Sequence, residues 1–161
     1  MKSSQGMSLI EMIITIVIVS VAMVASLKSF SVLTGRSTDT MIQTRTLDLA
    51  QLYFDEILTH RFDEASGVTG VPTYTGACRI TDDGESRSNY DDVDDFDAVS
   101  GETPALIDAS IAGDYSGFLV SIDVTCDSSI GSLANGAKRI DIRITNPLNQ
   151  TSVFSVYKGN Y

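Results

Sequence analysis

The sequence predicts an α+β protein in which a long N-terminal helix precedes a C-terminal antiparallel sheet. A continuous apolar run opens the chain, and a second stretch with helical spacing of apolar residues follows it. The last third of the chain alternates apolar and polar residues with a period of two. Spacing by three or four residues is typical of one helix face, and strict alternation is typical of a strand with one buried face.

The apolar run from Met7 to Leu27 is long enough to cross a membrane. Sixteen of its 21 residues are apolar, and a helix of this length spans about 30 Å, one hydrocarbon core. Glu11 interrupts it, and a carboxylate in a membrane segment costs on the order of 3 kcal/mol at mid-bilayer. We therefore expect Glu11 either to lie among the headgroups or to have a partner.

The residues ahead of this run form a short leader with one cation, Lys2, and a glycine at its end, Gly6. An ordinary secretory signal carries its small residues after the apolar core, at the cleavage site. Here the small residue comes before the core. We therefore expect cleavage to remove residues 1–6 and to leave the apolar helix on the mature protein.

This pattern resembles the class III signal of type IV pilins and pseudopilins, because a leader ending in Gly6 is followed by Ser8-Leu9-Ile10-Glu11 and an apolar helix. The resemblance implies that prepilin peptidase cuts between Gly6 and Met7 and methylates the amino group of Met7. It also implies that Glu11 pairs with the terminal amine of a neighbouring subunit during assembly. Residues 7–28 would then be the transmembrane and assembly helix.

Three residues depart from the pattern of the major pilins. Met7 stands where most of the family has phenylalanine, and Ser20 and Lys28 stand where major pilins commonly have glycine and proline. Residues 47–64 resemble the helix end of MshD-type minor pilins in the mannose-sensitive haemagglutinin (MSHA) pilus system. These features favour a minor subunit over the main filament protein.

The resemblance implies a minor pilin, a structural or assembly-initiating subunit of an MSHA-like type IV pilus. Such a subunit crosses the inner membrane once with its head in the periplasm, and later joins a cell-surface pilus. Its partners are other pilin subunits, the prepilin peptidase and the inner-membrane assembly platform. The alternatives are a type II secretion pseudopilin and a membrane-tethered calcium-binding or adhesive module.

The rest of the chain divides into two parts. Residues 29–62 have the apolar spacing of an amphipathic continuation of the helix, and residues 63–161 form the head. In the head we expect an antiparallel sheet within residues 115–158 and a short strand at Cys78-Arg79-Ile80. Three strands are predicted in that sheet, at residues 118–126, 139–145 and 152–157.

Both cysteines, Cys78 and Cys126, lie in the head, which the resemblance places in an oxidising compartment. An even number of cysteines in such a compartment favours a disulfide, with two buried thiols as the alternative. A disulfide between these two cysteines would close a loop of 48 residues and would stabilise the fold by about 4 kcal/mol in the chain-entropy treatment.

An acidic segment, residues 82–97, carries eight acidic residues and one basic residue. We expect it to be a solvated loop that packs on the domain through Val93 and Phe96, with calcium binding as the alternative because calcium prefers carboxylate oxygens. Its spacing does not fit an EF-hand loop. The weak calcium candidates are Asp91, Asp92, Asp94, Asp95 and Asp97. No other cofactor is expected.

Composition and motifs exclude several functions. The formal net charge of −10, from 11 basic and 21 acidic residues, argues against binding to nucleic acid. The sequence contains no glycine-rich phosphate loop, no G-x-S-x-G, no H-E-x-x-H and no C-x-x-C. With a single histidine, His60, most catalytic triads and metal sites are ruled out. We therefore expect a protein that is not an enzyme.

Overall fold

The computed structural model describes residues 8–67, 69–81, 83–130 and 136–160, and omits the side chains of residues 34–38. The predicted cleavage site between Gly6 and Met7 lies outside the described residues, as does Asp82 at the start of the acidic segment. The chain divides into two compact units, Met1–Gln43 and Thr44–Tyr161. We refer to the second as the globular unit.

One long helix, α1, runs from Leu9 to Thr59. Its first part is rich in Ile, Val, Met and Ala and contains no proline. The side-chain hydroxyls of Thr15, Ser20 and Ser26 donate to main-chain carbonyls three or four residues earlier, at 2.8, 2.7 and 2.8 Å. These bonds satisfy polar groups inside the helix itself, which an apolar surrounding requires. The predicted boundaries of the helix parts at residues 28 and 62 stay predictions.

A three-stranded antiparallel sheet follows in the globular unit, in the order β1-β2-β3. The strands are β1, Leu119–Asp127, β2, Ala137–Thr145, and β3, Thr151–Gly159. The fold is therefore α+β with the layout of a type IV pilin, which confirms the fold class predicted from the sequence.

The core forms where one face of α1 and one face of the sheet are buried. Leu49, Tyr53 and Ile57 recur every four residues along α1, and none of the three is exposed to solvent. The register pairs Val120 with Ile144 and Ile122 with Ile142, so that the alternating apolar residues of β1 and β2 share one buried face. Burying one such side chain contributes about 2 kcal/mol.

Two local expectations were wrong. Residues Cys78-Arg79-Ile80 are not part of a strand. They are connected to the sheet by the disulfide at Cys78, and not by the hydrogen bonds of a strand ladder. The acidic segment, which contains two 3₁₀ turns, Arg87–Asn89 and Asp94–Ala98, is not solvated throughout, because three of its acids are buried. The packing expected of Val93 and Phe96 is confirmed, since neither is exposed.

Candidate assembly site and the acidic segment

Glu11, the candidate assembly residue, lies in the first turn of α1. The main-chain N–H of Met12 already bonds the carbonyl of Ser8 at 3.1 Å, so the helix is established at this point. A carboxylate near a helix N-terminus is stabilised by the unpaired N–H groups and the helix dipole there. Glu11 is exposed within an exposed apolar surface, since Leu9 and Ile10 are 77% and 66% accessible.

The segment Leu9–Leu33 is long and apolar enough to cross a membrane. None of its most apolar stretch is covered by the part of the chain that the structure describes. Monomeric soluble proteins rarely expose contiguous apolar patches of more than a few hundred Å². This surface therefore needs lipid or other helices against it, and Glu11 is the acidic residue of that surface.

The acidic segment turns part of its charge inwards, contrary to the expectation of a solvated loop. Asp92, Asp94 and Asp95 are 4%, 3% and 6% exposed. Asp94 pairs with Lys138 on β2, which is fully buried and whose ammonium group donates to Asp94 Oδ1 and to the carbonyl of Phe62. Burial raises the pKa of Asp94 to about 6, although Lys138 acts in the opposite direction. Burial also raises the pKa of Asp92.

Main-chain N–H groups satisfy other carboxylates of the segment. Asp92 Oδ1 accepts from the N–H of Asp94 at 2.7 Å. Asp95 Oδ2 accepts from the N–H groups of Asp91 and Asp92 at 2.9 and 3.1 Å. Asp97 Oδ1 accepts from the N–H of Val124 at 2.8 Å, which ties the segment to β1. The conformation of the segment is therefore stabilised by hydrogen bonds that its own carboxylates accept.

The five calcium candidates do not converge on one point. Asp92, Asp94 and Asp97 are directed to the separate partners given above. Asp91 pairs with the guanidinium of Arg61. Among the described residues, Asp91 and Asp95 form a group with Glu85, in which one oxygen of each lies within 4.8 Å of the others. Calcium takes six to eight oxygen ligands, and one oxygen from each of these three residues provides at most half of them.

A second, partly buried group of charges joins the segment to α1, and in it Arg87 binds two carboxylates. Arg87 donates to Glu56 Oε2 at 2.7 Å and to Glu102 Oε2 at 3.0 Å. The hydroxyl of Tyr53 donates to the other oxygen of Glu102 at 2.9 Å. Burial opposes the charge of Arg87, but its two carboxylate partners outweigh burial and raise its pKa. Burial and the charge of Glu102 raise the pKa of Tyr53 as well.

The two cysteines form a disulfide that connects the residues ahead of the acidic segment to β1. The sulfur atoms of Cys78 and Cys126 are 2.08 Å apart, and the Cα atoms are 5.9 Å apart. His60 follows the end of α1, and its ring lies 5.2 Å from that of Phe96. His60 therefore packs on the acidic segment.

Sequence reasoning missed the residues that hold this region together, above all Lys138, Asp63, Arg87 and Glu102. One signal was available for Lys138. It occupies the same phase as Ile140, Ile142 and Ile144, so the alternation already placed it on the buried face of β2. A lysine at such a position requires an internal anion.

A family model described as the prokaryotic N-terminal methylation motif matches residues 1–27. The searches of curated proteins and of solved structures gave no match. The matched residues include the predicted cleavage site, Glu11 and the whole apolar run from Met7 to Leu27. Together with the α+β layout, the motif supports a type IV pilin-like or pseudopilin-like subunit. It implies processing by prepilin peptidase and assembly with other pilins, suggests a structural role and is consistent with membrane anchoring.

Proposed function

We propose that this protein is a minor pilin of a type IV pilus of the MSHA kind, either a structural subunit or an initiator of assembly. The observation that carries the proposal is the uncovered apolar surface of Leu9–Leu33 with a carboxylate, Glu11, in its first turn. In this proposal the helix is held in the inner membrane with the head in the periplasm. It then moves into the filament and packs against equivalent helices.

The chemistry of assembly follows from the charge in this surface. When the helix leaves the headgroup region and enters a packed bundle, Glu11 loses its water and needs a cation. Cleavage after Gly6 would create one, the methylated amine of Met7, on each neighbouring subunit. Attraction between unit charges is several-fold stronger near protein than in bulk water. A subunit in correct axial register would therefore be favoured over one that leaves Glu11 unpaired.

Two features support a minor subunit of the MSHA kind. Ser20 and Lys28 replace the glycine and proline typical of major pilins, and residues 47–64 resemble MshD-type minor pilins. A type II secretion pseudopilin has the same N-terminal signal and is the second candidate. Recovery of the protein with sheared surface filaments would favour the pilus, whereas retention in the envelope together with a secretion defect would favour the pseudopilin.

The test of the assembly role is Glu11→Ala, with Asp39→Ala as the matched control on the same helix. Asp39 is exposed and lies beyond the apolar span. We expect Glu11→Ala to lower the amount of protein in sheared filaments at least tenfold while the globular unit unfolds at the wild-type temperature. Asp39→Ala should be incorporated normally. Normal incorporation of Glu11→Ala would contradict the proposed pairing.

Processing is tested separately by the intact mass of the protein extracted from membranes. The proposal expects a chain that begins at Met7 and carries one methyl group. A mature chain that still begins at Met1 would refute cleavage at this site and would remove the amine that Glu11 needs.

A further inference from the structure

Lys138 and Asp94 bring an amine and a carboxyl group into contact in the interior of the globular unit. Their side chains are 0% and 2% exposed. The Lys138 ammonium lies 4.6 Å from the centre of the Phe62 ring and also donates to the Phe62 carbonyl. Both groups are therefore largely withdrawn from bulk solvent, and a cavity of about 120 Å³ lined by Asp63 and Asp94 lies beside them.

A second carboxyl group, that of Asp63, lies beside this pair, and only one of its two oxygens accepts a hydrogen bond from the described residues. Its side chain is 2% exposed, and its Oδ1 accepts from the N–H of Ala65 at 3.0 Å. Its Oδ2 is buried and has no hydrogen-bond partner among the described residues. Lys138 Nζ and Arg79 Nε lie 4.0 and 3.7 Å from that oxygen, beyond hydrogen-bond distance. A buried carboxylate oxygen left in this way calls for an explanation.

We propose that Lys138 and Asp94 condense to an intramolecular amide, with Asp63 as the proton carrier. Lys138 first passes one proton to Asp94, which gives a neutral amine and a protonated carboxyl group. The lysine nitrogen then attacks the carboxyl carbon of Asp94 and gives a second proton to the Asp63 carboxylate. A carbon–nitrogen bond forms and a carbon–oxygen bond breaks. The leaving hydroxide takes a proton from Asp63, so one water molecule is released and no oxidant, nucleotide or metal is required.

The site supplies what this condensation needs. Amide formation from free ions in water is unfavourable, but holding the two groups together is equivalent to an effective concentration of about 10⁵ M or more. Burying a charge is costly, and burial raises the pKa of Asp94, which favours its neutral acid form. The low exposure of both side chains also separates the product from bulk water, which slows its hydrolysis.

The amide would join residues that are 44 positions apart in the chain. It would fasten the acidic segment to the central strand of the sheet, next to the disulfide, because Lys138 is the register partner of Cys126. Two covalent links, the disulfide and the amide, would then join residues 78–94 to the sheet. Such a link resists pulling forces and does not depend on the redox state.

The test is the intact mass of the full-length protein, extracted from membranes, reduced, alkylated and denatured. We expect the wild-type chain to weigh one water molecule less than its processed sequence. Chymotrypsin cuts after Phe96, Tyr115 and Phe118, between the two residues. The peptides that contain Asp94 and Lys138 should therefore remain joined. A wild-type chain of full mass, or separate peptides, would overturn the proposal.

Two lysine variants separate this link from other losses of water. The Asp83-Gly84 pair can lose water as a cyclic imide, which would survive in Lys138→Arg, whereas the proposed amide would not. Lys158→Arg is the matched control, because Lys158 is the register partner of Lys138 on β3 but donates to the carbonyl of Leu58 at 2.9 Å. The Lys158→Arg variant should still weigh one water molecule less than its sequence. If the Lys138→Arg variant also weighs one water molecule less, the proposed link is refuted.

A third variant tests the role of Asp63. Asp63→Asn keeps the size of the side chain but cannot carry the proton. We expect only a small fraction of this variant to have lost water. If Asp63→Asn condenses as completely as the wild type does, Asp63 is not the proton carrier.

Discussion

Replacing Arg87 by methionine should destabilise the globular unit more than replacing any exposed arginine of the sheet. Arg87 is 19% exposed and pairs with Glu56 and Glu102, whose side chains are 25% and 6% exposed. Its guanidinium also lies 5.0 Å from the centre of the Phe96 ring. Methionine keeps much of the apolar stem but removes the charge, and this leaves Glu102 buried without its cation.

The magnitude follows from what remains around Glu102. Breaking a fully buried pair costs 3–5 kcal/mol. Glu102 keeps its hydrogen bond from Tyr53, and Glu56 can reach water, so we expect a loss of about 3 kcal/mol in the free energy of unfolding. For a domain of this size that corresponds to a decrease of about 10 °C in the unfolding temperature.

Thermal and denaturant unfolding of the full-length protein in detergent, followed by near-ultraviolet circular dichroism, measures this loss. Arg143→Met is the matched control, because Arg143 pairs with Asp123 across the sheet while both side chains are nearly half exposed. An exposed pair of this kind contributes 0–1 kcal/mol. If the two variants lose equal stability, the buried network around Arg87 does not have the energetic role inferred from its geometry.

Three further predictions concern the same globular unit. Tyr53→Phe removes the buried hydrogen bond to Glu102 and should lower the free energy of unfolding by about 2 kcal/mol in a denaturant titration; an unchanged midpoint would contradict this. Reduction of the Cys78–Cys126 disulfide, which spans 48 positions, should lower it by about 4 kcal/mol, with mass after alkylation as proof of reduction. Chelation should leave the unfolding temperature unchanged, because buried carboxylates of the acidic segment already bind Lys138 and main-chain N–H groups. A saturable increase of several degrees with calcium would refute that prediction.

The strands could be predicted from the sequence because the alternation is local. Each run of alternating residues fixes one buried face, and the short connection from β2 to β3 allows an antiparallel pair. The observed strands begin and end within a few residues of those predicted. The short strand expected at Cys78 failed because a strand also needs a partner ladder, which no local pattern reveals.

The acidic segment could not be predicted because its order depends on distant residues. Asp94 and Lys138 are 44 positions apart, and Arg87 reaches Glu56 across 31 positions. A run of eight acids with a single cation looks like a solvated loop. Only the fold brings Lys138 to the inner face of the sheet beside them, where desolvation makes the pairing obligatory.

The inward charges of the acidic segment have a consequence for crowding between subunits. Counted from sequence, the window 82–97 contributes −7 of the net −10, which would make closely spaced copies repel one another. Two cations from outside this window pair with its acids, Lys138 with Asp94 and Arg61 with Asp91. Charges paired in this way project little field beyond one screening length, about 8 Å at physiological salt. The surface around the acidic segment is therefore less negative than the window alone suggests, and neighbouring copies in an array repel one another less strongly at this place, while the net charge of −10, which already counts these cations, is unchanged.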